Sequence, residues 1–530
     1  MTVVPFLIVA AIAGTGSLMA RANRGWSTAI ALAGLVGMAG TALAMGPNAS
    51  VEIGGTVLAG SAWLRLYAVL GSIVALGLVA IDVTALHEPD VPGVLVIGIG
   101  AAVLALALPD PGVAVLAATA GGLAGILVAA PMGAAARAAF VGVRELRALA
   151  IAGAMAILAT AWLARPLVAL AGEPAVFGLA YLGFGLAVAT RFGAIPFHLW
   201  AARVADAAPG IALPLLMAWG PAAFAAVALV WIDQSVAPLV LPLSMERAVI
   251  GAIGCVSIVL GLVAAWVQDD LEHVVGYTIV ADAGVAVLGL AALDPAAWEP
   301  ARTWLLIFVV GRSAFAGWVV AIHGGLGTRR LPELGGWARR LPVMAGALVL
   351  IAAASVGWPG FVAWQARTAL IDLVLPTPIG ALVTLAPLGA IAIYGRILLV
   401  GVGRPSPAVT EGRSERPGWP GPLPRRPIVG HGGLERAFER ISHALGGALD
   451  VLWVVPAAGR QNRMPLAALA VLLLSGLGFL VAAGGFGVTD AARAVPVIGS
   501  GPGPSAPPPD SVGPGSSGGP GESLSPDGTP

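Results

Sequence analysis

The chain has 530 residues, of which 58% are hydrophobic and only 10% charged, and its mean hydropathy is +0.93. This composition excludes a soluble globular domain and predicts a polytopic protein embedded in a lipid bilayer, with no nucleic-acid partner. The formal net charge of +1 indicates no particular partner, and the single cysteine, Cys255, excludes a disulfide framework or a cysteine-based metal site.

Hydrophobic runs long enough to cross a bilayer as helices recur along the chain. The first run could be a signal peptide, because residues 20–22 resemble a cleavage site, but its start carries no basic residue and we interpret it as a retained helix. The pattern predicts an all-α fold with about 14 transmembrane helices. The runs cover residues 3–19, 26–45, 63–83, 92–108, 111–130, 149–171, 175–200, 211–231, 247–267, 273–292, 302–323, 341–373, 379–402 and 464–484.

The seventh and twelfth runs contain helix-breaking residues. Pro196 interrupts the seventh run, five residues after Arg191, and Gly357, Pro359 and Gly360 interrupt the twelfth. In a membrane, broken backbone is tolerated only where it is buried in protein or lines a wet cavity. We therefore predict that helices 7 and 12 are discontinuous, and that a functional site lies near them.

Arginine supplies all 28 basic residues, and its distribution predicts the topology. With the N-terminus outside, nineteen arginines fall in inner loops, four within helices and five outside, the last being Arg165, Arg247, Arg302, Arg367 and Arg493. This predicts a multi-pass protein of the bacterial cytoplasmic membrane with both termini outside.

Two regions lie off the predicted bundle. Residues 403–463 form a cytoplasmic loop, in which residues 434–455 have the spacing of an amphipathic helix lying on the membrane surface or against a partner subunit. Helix 464–484 follows, and the Gly/Pro/Ser-rich tail over 485–530 is predicted to be disordered.

Three motifs carry a family resemblance. The stretch PFHLW at residues 196–200, QDDLEHVVGYTIVADAG at 268–284 and SVGWPGF at 355–361 together resemble the antiporter-like membrane subunits of respiratory complex I and the Mrp antiporters. Subunit N of NADH-quinone oxidoreductase is the most similar type. The resemblance covers roughly residues 90–402. It implies an antiporter-like core over 91–402 (helices 4–13), preceded by helices 1–3 over 1–90, and two inverted five-helix repeats, each with a broken helix. It also implies other membrane subunits as partners.

The family's line of protonatable residues is only partly retained. Arg191 stands where the family has a seventh-helix lysine, and the fifth run, 111–130, contains no acidic residue. The eighth-helix lysine position falls near Pro221, and the position after the twelfth-helix break falls near Trp364 or Gln365. Because arginine stays protonated, it cannot relay a proton as lysine can.

Five side chains are candidates for the proton or ion path: Arg191, His198, Asp282, Arg312 and His323. Arg191 either belongs to the ion path or stabilises the backbone at the break, and His198 either titrates or shapes the turn. Asp282 and Arg312 lie near the centres of consecutive antiparallel runs, so they form either a static salt bridge or part of a hydrated line of charges.

The sequence predicts a membrane subunit of a complex I-like or Mrp-like assembly that takes part in proton or cation translocation, with reduced conduction. A non-conducting scaffold subunit and an independent secondary transporter are the alternatives. No catalytic site is predicted within the chain, and a translocase activity would belong to the whole assembly. Because phosphate-binding, haem and CxxC motifs are missing, we expect no cofactor, no metal and no binding of NADH, flavin or iron–sulfur clusters.

Overall fold

A computed structural model describes residues 1–85, 91–129, 136–162, 174–237, 241–406 and 464–494. The predicted surface helix at 434–455 and most of the predicted disordered tail lie outside these ranges. The α-helices are α1 Val4–Met19, α2 Arg24–Leu43, α3 Ala62–Ala85, α4 Val91–Ala107, α5 Pro111–Ala129, α6 Ala136–Trp162, α7 Pro174–Phe192, α8 Leu199–Ala207, α9 Gly220–Ser235, α10 Ser244–Val267, α11 Leu271–Ala291, α12 Trp298–Leu326, α13 Trp337–Arg340, α14 Pro342–Val356, α15 Val362–Val374, α16 Thr377–Leu385, α17 Leu388–Val402, α18 Met464–Ala483 and α19 Val488–Arg493.

The polytopic all-α architecture is confirmed. Within the described ranges, nine helical segments are long and apolar enough to cross a membrane by length and composition, and five shorter apolar helices accompany them. These helices coincide with the predicted runs, although for the five shorter ones the crossing stays a prediction. The shorter helices are Val4–Met19, Val91–Ala107, Pro111–Gly125, Leu146–Trp162 and Pro342–Val356.

One small element departs from the all-α prediction. Strands β1 Ser50–Ile53 and β2 Thr56–Ala59 pair antiparallel between α2 and α3, with Val51 opposite Leu58. The two turn residues, Gly54 and Gly55, have φ values of +58° and +80°. Two consecutive residues with positive φ suit the tight turn of a hairpin, and glycine adopts them without steric cost.

Breaks in the helices are more numerous than the two predicted. Helix 7 is broken between α7 and α8, and helix 12 between α14 and α15, as predicted. A further break at Pro387 separates α16 from α17, and a π-helical turn, Leu215–Trp219, precedes α9. Short 3₁₀ turns occur at Ala20–Ala22, Gly210–Ala212, Pro295–Ala297, Leu331–Leu334 and Gly485–Gly487.

Helix α12 lies at the centre of the bundle and contacts α3, α11, α15 and α18, with 94% of its apolar window buried. Its neighbour α11 packs closely on α10 through small residues. A Cβ atom built on Gly254 would lie 2.8 Å from the carbonyl oxygen of Gly284, and one built on Gly284 would lie 2.9 Å from the backbone nitrogen of Ile258. Such close approach of backbones is how helices associate without a hydrophobic driving force between them.

Buried tryptophans connect helices that are distant in sequence. Each indole N–H donates a hydrogen bond to a group on another segment, which satisfies the one polar atom of an otherwise apolar side chain. The acceptors are the Arg302 carbonyl for Trp63 (3.1 Å), Ser313 Oγ for Trp219 (3.0 Å), Asp233 Oδ1 for Trp298 (3.0 Å), the Asp282 carbonyl for Trp304 (3.0 Å), the Met344 carbonyl for Trp318 (2.8 Å) and the Ile397 carbonyl for Trp337 (3.2 Å).

Both ends of the described chain lie on one face of the bundle. The Met1 amine donates to the Ala44 carbonyl (3.1 Å), and Arg493 of α19 pairs with Glu299 at the start of α12 (2.9 Å). The hydrogen bond and charge of Glu299 raise the pKa of Arg493. The segment following α17 lies on the opposite face, where the Ser406 N–H donates to the Gly335 carbonyl (3.0 Å).

Candidate functional site

The break in helix 7 is a turn stabilised by hydrogen bonds to neighbouring segments. Gly193 adopts a φ of +65°, which ends α7, and Pro196 prevents the helix from continuing. The freed groups find partners, since the Ile195 N–H donates to Ser257 Oγ (2.9 Å) and the Trp200 indole donates to the Thr190 carbonyl (2.7 Å). The residues before the break, from Arg191 to Ala194, are buried in protein, whereas Pro196 is exposed.

Arg191 lies one turn before this break and is only 5% exposed. Its Nε has no hydrogen-bond partner among the described residues. The guanidinium instead faces a cavity of about 30 Å³ between α4, α5 and the start of α9. It lies directly against Gly122 of α5, whose backbone leaves room for it, and a Cβ atom there would overlap Nη2. The predicted structural role, hydrogen bonding to carbonyls freed at the break, is thus not seen for Nε.

His198 lies on the other side of the break and lines a second, smaller cavity of about 10 Å³ with His273 and Tyr277 of α11. The rings of His198 and Tyr277 are 6.3 Å apart between centroids, and His198 Nδ1 is buried without a hydrogen-bond partner in the described chain. A volume near 10–15 Å³ holds roughly one water molecule. This histidine cavity (His198, His273, Tyr277) brings two imidazoles and a phenol from two helices to one small space.

The break in helix 12 is stabilised by a buried arginine. Gly357 and Gly360 have φ values of +58° and +100°, and Arg367 of α15 donates from Nη2 to the Val356 carbonyl at the end of α14 (3.0 Å). The Arg367 guanidinium lies 5.2 Å from the ring centroid of Trp364 and 5.9 Å from that of Trp304. Such placement over aromatic rings favours a buried cation.

Arg367 and Arg302 correct the predicted arginine distribution. Both were assigned to outer segments, but they are buried in the bundle at 2% and 4% exposure. Because they are buried in α15 and α12, they belong with the charges inside helices. Three of the five arginines predicted to lie outside remain in that group. The topology itself stays a prediction.

Asp282 and Arg312 are brought together, as their matching depth predicts. Arg312 donates from Nε to Asp282 Oδ2 at 2.6 Å and from Nη1 to the Tyr394 hydroxyl at 2.7 Å. The Tyr394 hydroxyl is also 3.0 Å from Ser355 Oγ, in the last turn of α14 before the break. We refer to Asp282, Arg312, Ser355 and Tyr394 as the central cluster. The Asp282 and Arg312 side chains are 17% and 3% exposed, so the pair is a buried salt bridge within a polar network.

His323 does not join these groups. It lies in the last turn of α12, half-buried, and its carbonyl accepts the N–H of Gly327, which ends the helix. Near that end of α12, Arg329 pairs with both Asp270 (2.8 Å) and Glu272, and Arg396 pairs with Asp269 (2.6 Å). The Arg329 pairs hold the start of α11 against the loop after α12, and the Arg396 pair holds the loop before α11 against α17.

Several polar residues of the site were not predicted from the sequence. Tyr394 and Ser355 join the central cluster, and His273 and Tyr277 join the histidine cavity. One signal was available for the second pair, since His273 and Tyr277 are four residues apart and share a helix face. Tyr394 lies 82 residues from Arg312, and no spacing connects them.

Comparison with known sequences supports the resemblance to antiporter-like membrane subunits. The sequence model of a family described as NADH:quinone oxidoreductase/Mrp antiporter, TM, matches residues 168–393, which include both predicted breaks. NADH-quinone oxidoreductase subunit N of Thiobacillus denitrificans is 28% identical over 205 residues, which is 38% of this chain and 41% of the relative. The F(420)H(2) dehydrogenase subunit M of Methanosarcina mazei is 28% identical over 196 residues, covering 34% of this chain and 38% of that subunit. The chain thus spans about two fifths of the length of these curated relatives.

Solved structures share the fold over nearly the whole chain. A chain of the Mrp complex from Dietzia sp. superposes with a TM-score of 0.61 at 19% identity, covering 93% of this chain and 95% of its own length. A chain of respiratory complex I from Thermus thermophilus gives a TM-score of 0.61 at 16% identity, covering 90% and 97%. With the sequence match over residues 168–393, these likenesses show that the chain is similar to the antiporter-like membrane subunits of NADH:quinone oxidoreductases and Mrp antiporters and shares their fold.

Proposed function

We propose that this chain is a membrane subunit of a complex I-like or Mrp-like assembly of the bacterial cytoplasmic membrane, where it takes part in proton or cation translocation. The observation that carries the proposal is the buried central cluster at the helix 12 break. Charged side chains in membrane segments are costly and tend to mark ion pathways or relays. The central cluster joins a salt bridge on two consecutive helices to a helix break through two hydroxyls. Such a polar network at membrane depth can switch between a closed and an open salt bridge.

A second observation connects the central cluster to the inner face of the bundle, namely a line of polar residues along α11. Helix α11 carries Glu272, His273, Tyr277 and Asp282 in order, and the ten residues from Glu272 to Asp282 span about 15 Å of helix. Glu272 pairs with Arg329 at the inner end, and the histidine cavity lies between it and Asp282. Protons would move along this line through His273, His198 and Asp282, with Tyr394 beyond.

Conduction through this line is expected to be slow. Asp282 is bound to Arg312 in a buried salt bridge, so in this path its carboxylate becomes available to a proton only when that contact opens. Arg191 cannot exchange its proton, and it acts on the path only through its field. The subunit would therefore depend on partner subunits to drive the opening.

Proton flux in proteoliposomes tests the proposal. The purified chain alone should show slow flux or none, and any flux should fall on replacing His198 by alanine or Asp282 by asparagine. Arg191→Lys should not create flux, because α5 contributes no acidic residue as a partner. The control is Asp490→Asn, which replaces an exposed acid of α19 and should leave the proton flux unchanged. Fast flux that neither path substitution alters would contradict the proposed path.

A non-conducting scaffold subunit is the second candidate, and Arg191 favours it, because a fixed cation without an acidic partner suits a fold that no longer relays protons. Affinity purification from membranes distinguishes the candidates when combined with the flux assay. Co-purification of other membrane subunits together with no flux in the isolated assembly would support the scaffold. Flux that depends on Asp282 in the co-purified assembly would support translocation.

The proposed topology has its own test. With both termini outside, Asp490→Cys in α19 should react with an impermeant thiol reagent in intact cells. Arg330→Cys, whose position is exposed on the opposite face, should react only after the cells are opened. The background variant is Cys255→Ser, which removes the one native thiol. The reverse labelling pattern would overturn the orientation.

A further inference from the structure

Arg191 is a buried cation whose counter-charge is not supplied by the described chain. It is 5% exposed, its Nε has no hydrogen-bond partner among the described residues, and no ion pair to it is formed there. Arg312, by contrast, pairs with Asp282. The Nε of Arg367 also has no partner in the described chain, but its Nη2 donates to the Val356 carbonyl and its guanidinium lies against two tryptophans. A lone buried charge is unfavourable unless a partner or hydration compensates it.

The helices around Arg191 cannot provide an acidic partner. The sequences of α4, α5 and α7 contain no aspartate or glutamate. The one acid of α9, Asp233, lies thirteen residues beyond Gly220, about 20 Å along the helix, where it accepts a hydrogen bond from Trp298. No described residue that lines the cavity therefore compensates the charge, and the cavity itself is where a counter-ion can bind.

The cavity beside Arg191 has the size and the walls for a small ion. Its volume of about 30 Å³ is roughly two to three times what one water molecule needs. Glycines from three helices line it, namely Gly98, Gly121, Gly122, Gly125 and Gly220. Without side chains at these positions, an ion can approach both the guanidinium and the backbone. A bulky organic anion or a lipid headgroup would not fit.

We propose that this cavity binds a small inorganic anion of the halide class, such as chloride, in contact with the Arg191 guanidinium. The anion neutralises the cation and fixes the packing of α5 and the start of α9 against α7. The site is separate from the central cluster, and it does not depend on whether the subunit conducts protons.

Thermal stability in chloride tests the proposal with the full-length protein in detergent. At constant ionic strength, replacing sodium gluconate by sodium chloride should raise the melting temperature in a saturable manner, by at least about 2 °C, because a ligand that binds only the folded state stabilises it. Gluconate is too large for the cavity and controls for sodium and ionic strength. Arg191→Gln should abolish the rise, whereas Arg330→Gln, which removes an exposed arginine, should retain it.

A direct measurement covers the case in which Arg191→Gln fails to fold. Crystals of the unmodified protein grown in sodium bromide should show an anomalous difference peak within contact distance of the Arg191 guanidinium. A bromide peak there supports the site. A cavity without such a peak, a melting temperature equal in chloride and gluconate, or a chloride effect that persists in a folded Arg191→Gln variant would overturn it.

Discussion

Replacing Asp282 by asparagine is expected to cause a large loss of folded protein. The substitution removes the charge that neutralises Arg312, whose side chain is only 3% exposed, and leaves the guanidinium with the Tyr394 hydroxyl as its polar partner. Losing one partner of a buried ion pair typically costs about 3–5 kcal/mol. The yield of monodisperse protein after extraction, and its melting temperature in detergent, should both fall clearly below those of the unmodified chain.

The double substitution Asp282→Asn with Arg312→Gln should recover much of this loss. It removes both charges, so no uncompensated ion remains, and two amides of similar shape can hydrogen-bond in their place. The comparison of the two single variants with the double variant gives the coupling energy between the side chains. Equal damage in the single and the double variants would mean that the salt bridge is not what stabilises this part of the bundle.

A comparably large effect is expected for Gly284→Leu in α11. Gly284 faces the backbone of α10 so closely that a Cβ atom would lie 2.6 Å from the Gly254 carbonyl oxygen, which no rotamer can relieve. The two helices would have to separate, and Asp282, two residues earlier, would shift away from Arg312. Overpacking costs typically about 1–3 kcal/mol even where side chains can adjust, and here the obstacle is backbone.

Gly346→Leu is the matched control for this substitution. Gly346 lies in α14, is exposed, and would place its Cβ atom with nothing within 4 Å. Because a side chain at this position would face the lipid side of the bundle, leucine should be tolerated there and should leave the melting temperature nearly unchanged. If Gly284→Leu and Gly346→Leu lowered the melting temperature equally, close backbone packing between α10 and α11 would not explain the result.

The parts of the fold that were predicted correctly depend on properties that each segment carries alone. Hydropathy over 17–25 residues identifies membrane helices because the hydrocarbon thickness fixes the length they need. Pro196 and Gly357 predict breaks because proline lacks a donor and glycine permits a positive φ. The Asp282–Arg312 contact could be predicted because consecutive antiparallel helices bring residues near their centres to the same depth.

The features that were missed depend on neighbours distant in sequence or on weak local signals. Tyr394 reaches Arg312 across 82 residues, and helix packing alone decides that contact. Arg302 and Arg367 look like outer charges by position, but tertiary packing buries both, Arg367 beside a carbonyl and two tryptophan rings. The hairpin at residues 50–59 is too short to outweigh the helical composition around it, and Pro387 resembles the prolines that continuous membrane helices tolerate.

The indole hydrogen bonds between helices make this chain its own optical probe. Trp219, Trp298, Trp318 and Trp337 are each at most 1% exposed, so their rings lie in an apolar environment and should emit at short wavelength. Separation of the helices would replace their serine, aspartate or carbonyl acceptors with water, and the emission would shift to the red. Intrinsic fluorescence can therefore report loss of helix docking in detergent or in liposomes, with no label attached to the protein.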